Sequence, residues 1–556
     1  MPEMNVSQKF VDWWTDRLHL KDIPLARIPD YMYSVNYWLG SMVAAALIWE
    51  VVTGLFLILY YVPSDPYGGI TYLVDSVPFG SLLIATHLYG AYAMILLAYI
   101  HMFRNYFVKA YKKPRELQWM IGVILLTIVQ GAAFLGYSMT GDVLAADAVD
   151  VGRGIMGDFP LGLGKALEPF IFGNGTSIDL FTRLLGYHII LVALIGLLFL
   201  FHFYLAEMNG FMPHPSRVGY KVPALLDEKD PSLNPWYPRN LLYMVELSLF
   251  TFSGIVLVPS VISLIPHVPI LFSPYPSVSP TSPLATTIPA YPPWFFLFMY
   301  KVLDFQPLSA FDVTLIAAIL PILYFLFVPI LDRSHDLHFF KGWIFQAIGV
   351  IAIVNFIQAS VWAALAPGVP VTPSVYIPII GEPFAVVLIG FYIISKRKNM
   401  DSGAGPSTHL ETSSLVALVF IAALAVGLYM VASQAVNHLL TIPSLEGVPP
   451  MISGLLATGV LSVLLIRYDD IIRVNSKTRR SMRQTTPSPA RKVNRKLGTA
   501  YIILTLLVAT SIADAVVMWL LNPVSQAAFF GLGLGALLLM FAEMISVYHY
   551  VAYSRR

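Results

Sequence analysis

The sequence predicts an all-α protein that crosses a membrane about twelve times, and three observations carry that prediction. Of its 556 residues, 57% are apolar and only 12% charged, with a mean hydropathy of +0.71; a water-soluble chain of this length needs far more polar surface. Apolar runs long enough to cross about 30 Å of hydrocarbon recur from end to end. Lys and Arg concentrate in alternate loops between those runs, the asymmetry that sets orientation in polytopic proteins. The net charge of +2 leaves no footprint of nucleic-acid binding. Cysteine is absent, which excludes a thiolate-bound iron–sulfur cluster, a thioether-linked haem and thiolate-ligated copper within this chain, so any such centre belongs to a partner.

In chain order, residues 5–18 set Phe10, Trp13, Trp14 and Leu18 on one helical face, which predicts either a helix lying at the membrane surface or a plain tail. Met1–Lys21 is polar with scattered aromatics and does not read as a cleavable leader, so the first span is expected to direct insertion. Spans are predicted at 38–60, 80–103, 117–139, 184–206, 242–264, 312–331, 342–364 and 378–395. The polar break Ser395–Thr412, with Gly403, Gly405 and Pro406, reads as a linker. Four more spans follow near 413–433, 451–466, 498–520 and 527–552. Arg104–Arg115 contains Arg104, Lys109, Lys112, Lys113 and Arg115, and Arg467–Lys496 contains ten Lys or Arg against two Asp. With twelve spans these loops, and those holding Lys221, Arg239, Arg333, Lys341 and Lys396–Lys398, all fall on one side. That predicts a multi-pass plasma-membrane protein with both termini cytoplasmic. The three longer outer segments are then 61–79, 140–183 and 265–311. Leu247–Tyr300 contains no Asp, Glu, Lys or Arg, which suits either an acidic exterior or a loop covered by partner subunits or by the helices.

The chemistry begins with four histidines. Ala85–Arg104 holds His87 and His101, and Leu185–Ala206 holds His188 and His202, fourteen residues apart in both runs. Fourteen helical residues rise roughly 21 Å and fall about 40° short of four turns, so both rings of a run look the same way from opposite halves of a bilayer. Two such helices face to face offer two His–His pairs, the ligand set of two haems with imidazole on both sides of each iron. A single histidine in an apolar helix is more often a core residue; a second matched pair inside lipid, where polar groups are costly, reverses that reading. Gly40 and Gly54 in the first span and Gly122 and Gly136 in the third repeat the same fourteen-residue period, and glycine lets a flat ring approach the backbone. The remaining histidines, His19, His214, His267, His335, His338, His409, His438 and His549, form no matched pair.

Over residues 5–396 the sequence resembles cytochrome b of the quinol-oxidising respiratory and photosynthetic complexes. The resemblance rests on those eight Gly and His positions and on NYWLGS at Asn36–Ser41, TGLFLILYYVP at Thr53–Pro63 and FTRLLGYH at Phe181–His188. NPWYPRNLL at Asn234–Leu242, PPWFF at Pro292–Phe296 and LDRS at Leu331–Ser334 extend it. It implies a four-helix dihaem module over 1–210, a second cytochrome b module over 211–396, a linker over 397–412 and a four-helix extension over 413–556. His87 and His188 would hold an outer haem and His101 and His202 an inner one, with Arg104 and Arg183 at positions that neutralise haem propionates. A membrane quinol would be oxidised near the outer haem with protons released outside. One electron would pass to a partner, in the family a Rieske-type iron–sulfur protein, and the other would cross through the haems. Quinone would bind near the inner haem.

Departures from the family qualify what the resemblance implies. PPWFF stands where relatives have PEWY, so Pro293 replaces a glutamate that takes a quinol proton. Pro292, Pro293, Trp294 and Phe295 would line the quinol site, and Tyr291, Asp304, Asp142 or Asp147 could supply the base. Ile84 stands where many relatives have an arginine, and Glu207, Arg239 and Asn240 occupy the approximate place of the family's inner quinone site. The extension, PPWFF and the charge-poor outer loop are most similar to cytochrome b subunits of archaeal terminal quinol-oxidase supercomplexes. That would add haem–copper oxidase subunits as partners and make the haems b or A type. Two other classes compete. A secondary transporter has twelve spans but builds its site from broken helices, whereas the histidine-bearing runs contain no Pro. A haem–copper oxidase core commonly includes adjacent histidines, which are absent. A haem-binding scaffold that has lost quinol chemistry is the third alternative. The extension shows no motif and is expected to pack against a partner subunit.

Overall fold

The computed structural model describes residues 26–173, 175–227, 230, 232–397 and 491–553. Among them ten helices are long and apolar enough to cross a membrane. The first four are α1 (Leu39–Leu57), α3 (Gly80–Phe107), α4 (Glu116–Ser138) and α7 (Ser177–Asn209). The next four are α8 (Leu241–Ser263), α10 (Ala310–Leu331), α11 (Trp343–Leu365) and α12 (Pro373–Arg397). Two more, α13 (Arg491–Trp519) and α14 (Ala527–Tyr553), belong to the extension. Each lies on a span predicted from the sequence. Residues 5–18, the linker beyond Arg397 and the expected spans at 413–433 and 451–466 lie outside the described residues.

Four short helices occupy one end of the bundle: α2 (Pro66–Ser76), α5 (Val143–Gly157), α6 (Leu163–Phe172) and α9 (Leu297–Leu303). Their starts are encoded locally. Asp65 caps α2 by accepting from Gly68 N at 3.0 Å with Pro66 at the first helical position, and Asp142 caps α5 by accepting from Ala145 N at 2.9 Å. The Asp142 carboxylate also accepts from Thr140 Oγ1 and from Ser277 N at 2.6 Å. One side chain thus ties the uncharged 265–293 loop to the end of α4. Tyr61 reaches Met139 O and Tyr137 reaches Tyr291 O, so the loops of this end form one layer.

The opposite end is held by the cations that mark it in the sequence. Lys109 is fully buried and donates to the carbonyls of Asp336, His338 and Lys341. Lys112 pairs with Asp332 at 2.8 Å, both side chains almost fully enclosed. Arg115 donates to carbonyls of Asn209, Gly210, Phe211 and Ala224. These residues bind three inter-helix loops into one face. Burial alone would raise the Asp332 carboxyl, but hydrogen bonds from Lys112, Ser334 and Tyr111 outweigh it and hold the group below the usual carboxylate range.

Of the extension, which is expected to pack against a partner subunit, α14 runs along α8 within the chain. Gly531 and Gly535 make the approach possible, since added Cβ atoms would meet Ser260 Oγ at 2.1 Å and Leu257 Cγ at 2.5 Å. Ser253 Oγ donates to Gly535 O at 2.7 Å, His549 Nδ1 lies 3.1 Å from Glu246 Oε2, and Phe79 N donates to Pro523 O.

Candidate functional site

α3 and α7 present their histidines as two facing pairs: His87 lies within electrostatic reach of His188, and His101 of His202. A glycine from a neighbouring helix abuts each ring. A Cβ added at Gly54 would stand 3.4 Å from His87 Cε1, and one at Gly136 would stand 3.1 Å from His188 Cε1. At the other level the corresponding distances are 3.2 Å from Gly40 to His101 and 3.1 Å from Gly122 to His202. Each predicted glycine is therefore matched to one predicted histidine. Ala46, Met94, Ile95, Val129, Ala132 and Ile195 form a buried apolar cluster with Ile255 and Phe295. Each of the first six falls in sequence between the two level-marking residues of its own helix, so an apolar septum lies between the levels, with the Tyr99–Gln130 hydrogen bond of 2.6 Å beside it.

The ring nitrogens are held in different ways. Thr53 Oγ1 has one hydrogen, directed to Trp49 O at 2.7 Å, so the 2.9 Å contact with His87 Nδ1 requires that nitrogen to donate. Glu50 Oε2 lies 3.2 Å from the same nitrogen. His188 Nδ1 donates to Ala132 O at 2.9 Å. Among the described residues, His202 Nδ1 is near the Gln118 backbone without a hydrogen bond, and His101 is met by the Asn105 amide at 3.3–3.4 Å. At His87 and His188 the arrangement leaves Nε2 bare, the form that ligates a metal. Paired imidazoles, glycine cradles beside them and a buried, unpartnered Arg104 Nε near His101 fit two planar iron porphyrins with their acidic side chains. Arg104 is further steadied over the Tyr37 ring at 4.7 Å. Arg183, the other predicted cation, pairs with Asp179 at 3.0 Å and donates to Phe170 O. Sequence reading passed over Glu50; the signal was a lone acid within the first span.

At the end bearing His87, Trp294–Phe296 form a single turn leading into α9. Phe295 is fully buried against the septum, and Tyr92 meets it edge-on at 6.0 Å. Three of the four candidate bases are engaged. Asp142 is consumed by its cap and loop bonds, Asp304 pairs with the buried Lys301 at 2.9 Å, and Tyr291 OH donates to Ala364 O at 3.1 Å. Asp147 on α5, half-buried, has no hydrogen bond or ion pair among the described residues. It lies within electrostatic reach of Tyr137 and Tyr300. Burial first, then the neighbouring Asp150 and Asp142, raise its carboxyl above the usual range.

At the other end Glu207, Arg239 and Asn240 come together around residues 26–34. Glu207 accepts from Ala26 N at 2.7 Å. Arg239 pairs with Asp30 at 2.5 Å and lies 3.9 Å over Tyr33. Asn240 accepts from Tyr33 OH and donates to Ala26 O. In this structure their polar groups fasten that segment to α7 and α8.

Two family models match the chain: cytochrome b (N-terminal)/b6/petB over residues 92–280 and cytochrome b (C-terminal)/b6/petD over residues 280–381. A cytochrome b from Sulfolobus acidocaldarius is 36% identical over 561 residues, covering 97% of this chain and 97% of that protein. The likeness therefore takes in the extension as well. The menaquinol:cytochrome c reductase cytochrome b subunit of Geobacillus thermodenitrificans is 29% identical over 218 residues, 36% of this chain and 96% of that subunit. A chain of a hyperthermophilic respiratory complex III shares the fold, with TM-score 0.55 and 24% identity over 69% of this chain and 97% of that one.

Proposed function

The chain belongs to the cytochrome b/b6 family of bc complexes, and from that premise we propose that it oxidises a membrane quinol at the end bearing His87 and passes electrons toward the opposite face. The observation that carries the proposal is the pair of facing histidine couples, each ring backed by its own glycine, at two depths of one four-helix bundle. His87 with His188, and His101 with His202, would hold two haems, of b type as the family implies; when bound, these supply a one-electron path between the faces.

The chain's own residues do the rest. Pro292, Pro293, Trp294 and Phe295 line an apolar slot beside the outer pair and keep it dry, with Tyr291 held by Tyr137 and Ala364. Asp147 takes the quinol proton that no residue of PPWFF can accept, and releases it to the end of the molecule where α5 lies. Its raised proton affinity makes it a better proton acceptor than an ordinary carboxylate. Arg104 neutralises a haem acid group at the inner level. Oxidation of a quinol yields two electrons, and a chain without cysteine offers no iron–sulfur acceptor. A partner subunit, a Rieske-type iron–sulfur protein, takes the second one. The basic loops support a cytoplasmic position for the Lys109–Arg115 face and for both termini.

A pyridine haemochrome spectrum with quantified iron on the purified chain tests the reading. Two haems per chain are expected, and the band positions separate b from A type. Absence of haem would return the chain to a scaffold or transporter role.

A further inference from the structure

We infer that His549 of α14 and Glu246 of α8 together form a proton-binding site at the basic end of the bundle, and that the bound proton fastens the extension to the cytochrome b core. The inference goes beyond the quinol chemistry and does not rest on the haem assignment.

A count of donors and acceptors carries it. His549 Nδ1 is hydrogen-bonded to Glu246 Oε2 at 3.1 Å, and Nε2 to Arg239 O at 3.3 Å. A backbone carbonyl only accepts, so Nε2 carries a hydrogen. A neutral ring would then turn a bare Nδ1 toward an ionised carboxylate, acceptor against acceptor. Both bonds stand together only if the couple holds one more proton than a neutral imidazole and a carboxylate, either as imidazolium against carboxylate or as imidazole against carboxylic acid; the proton belongs to the pair. Each form is neutral overall, which suits side chains only 14% and 17% exposed. Losing the proton would leave a net negative charge there and two lone pairs opposed at the Nδ1–Oε2 contact.

Its place in the fold makes this proton a fastener. Gly531 and Gly535 hold α14 against Ser260 and Leu257 in the far half of α8, and Ser253 reaches Gly535 O. His549 lies about four turns beyond Gly535, where its ring also meets Tyr243 edge-on at 6.1 Å. Arg239, whose carbonyl it takes, pairs through its guanidinium with Asp30 and lies over Tyr33. One proton therefore ties α14, the start of α8 and residues 26–34. The titratable and charged groups around the couple are Tyr243 on α8, Arg239 with Asp30 ahead of it, and Glu543 and Tyr548 on the exposed side of α14. Because the docked end holds the proton and a detached end has no need of it, docking is favoured on the acid side and weakens as pH rises.

The test is amide hydrogen exchange over residues 541–553 in the intact complex, followed by mass spectrometry from about pH 6 to about pH 9. Glu246→Gln measured at each pH is the reference, so the intrinsic pH dependence of exchange cancels. In that variant the amide donates to Nδ1 of a neutral ring while Nε2 keeps Arg239 O, and every contact is met without the extra proton. The ratio of wild-type to Glu246→Gln exchange should rise with pH, by up to about tenfold per pH unit, the limit for one proton released on opening. His549→Ala should exchange fast throughout and serves as the reference if Glu246→Gln does not assemble. Wild type should then be protected relative to it in mild acid and converge on it in base. A ratio that stays constant across the range, against either reference, would overturn the inference and leave the haem assignment untouched.

Discussion

The glycine–histidine matching makes a level-specific prediction. If each glycine exists to let a haem and its ligand ring sit against the backbone, adding a side chain should disturb only the level it faces. At Gly136 one extra carbon would lie 3.1 Å from His188 Cε1, and at Gly122 3.1 Å from His202 Cε1. Contacts that close force the ring to move by a few tenths of an ångström. Overpacking by one methylene costs about 1–3 kcal/mol, which corresponds to roughly 5- to 150-fold weaker retention of the group held there. Gly136→Ala should therefore keep two haems with the outer one more easily lost, and Gly136→Val should purify with one. Gly122→Val should lose the other, and Gly54 and Gly40 should follow the same division. Haem-to-protein ratio, together with low-temperature difference spectra that resolve the two absorption bands, reads the outcome. Small residues in membrane helices also serve plain helix packing. Under that alternative, all four substitutions would lower thermal stability alike without choosing between bands, and a full complement of both haems in Gly136→Val would refute the matching.

Three further outcomes follow. Asp332→Ala leaves the Lys112 ammonium, 5% exposed, without its carboxylate and should destabilise the basic face by about 3–5 kcal/mol, read as a lower midpoint of thermal unfolding in detergent. Since hydrogen bonding holds the Asp332 carboxyl below its unfolded value while burial lowers that of Lys112, the carboxylate carries the stabilisation. That contribution is complete above the unfolded carboxyl pKa and disappears as pH falls through the depressed folded one, so wild type should lose this increment in acid and Asp332→Ala should not. With a raised carboxyl at Asp147, quinol oxidation should fall as pH drops through that group's range, and Asp147→Asn should be slow with this acid limb removed; an unchanged pH profile would remove Asp147 from the reaction. Deleting residues 491–556 should leave both haem bands intact but lower the unfolding temperature, because α14 covers α8 without contributing a ligand.

Much of this architecture is legible in the sequence because lipid imposes a strict grammar on it. Spans must be long and apolar, and their ends in the structure lie within a few residues of those expected, except that α7 and α13 each start seven residues earlier, at Ser177, where Asp179 pairs with Arg183 four residues on, and at Arg491. The His and Gly periods were readable for the same reason: a helix repeats its face, so a fourteen-residue interval on four helices can mean only two levels. What escaped was set by contacts between distant segments. Asp142 looked like an acid available to a substrate, yet its carboxylate is spent on Ala145, Thr140 and Ser277. Arg239 and Asn240 looked like a polar site, and in the structure they fasten residues 26–34. The fate of α14 depended on Gly531 and Gly535 meeting Ser260 and Leu257, a match no single-segment pattern reveals.

The septum joins these observations into one physical scheme. Ala46, Met94, Ile95, Val129, Ala132 and Ile195 form an apolar cluster between the levels, and the Tyr99 and Gln130 side chains beside it are bonded to each other at 2.6 Å, so the cluster itself offers nothing to stabilise a charge. Electrons can cross such a layer by tunnelling, whereas protons cannot follow without a polar chain. Under the proposed function, charge separation across the membrane would require that the proton leave at the end where quinol is oxidised, which is where the proposed base Asp147 stands. Replacing Ile195 with Asn would put an amide into the layer without touching a ligand. Both haems should remain, and the electrical potential built by a reconstituted complex should fall relative to its electron flux. Unchanged coupling in that variant would show that the barrier lies elsewhere.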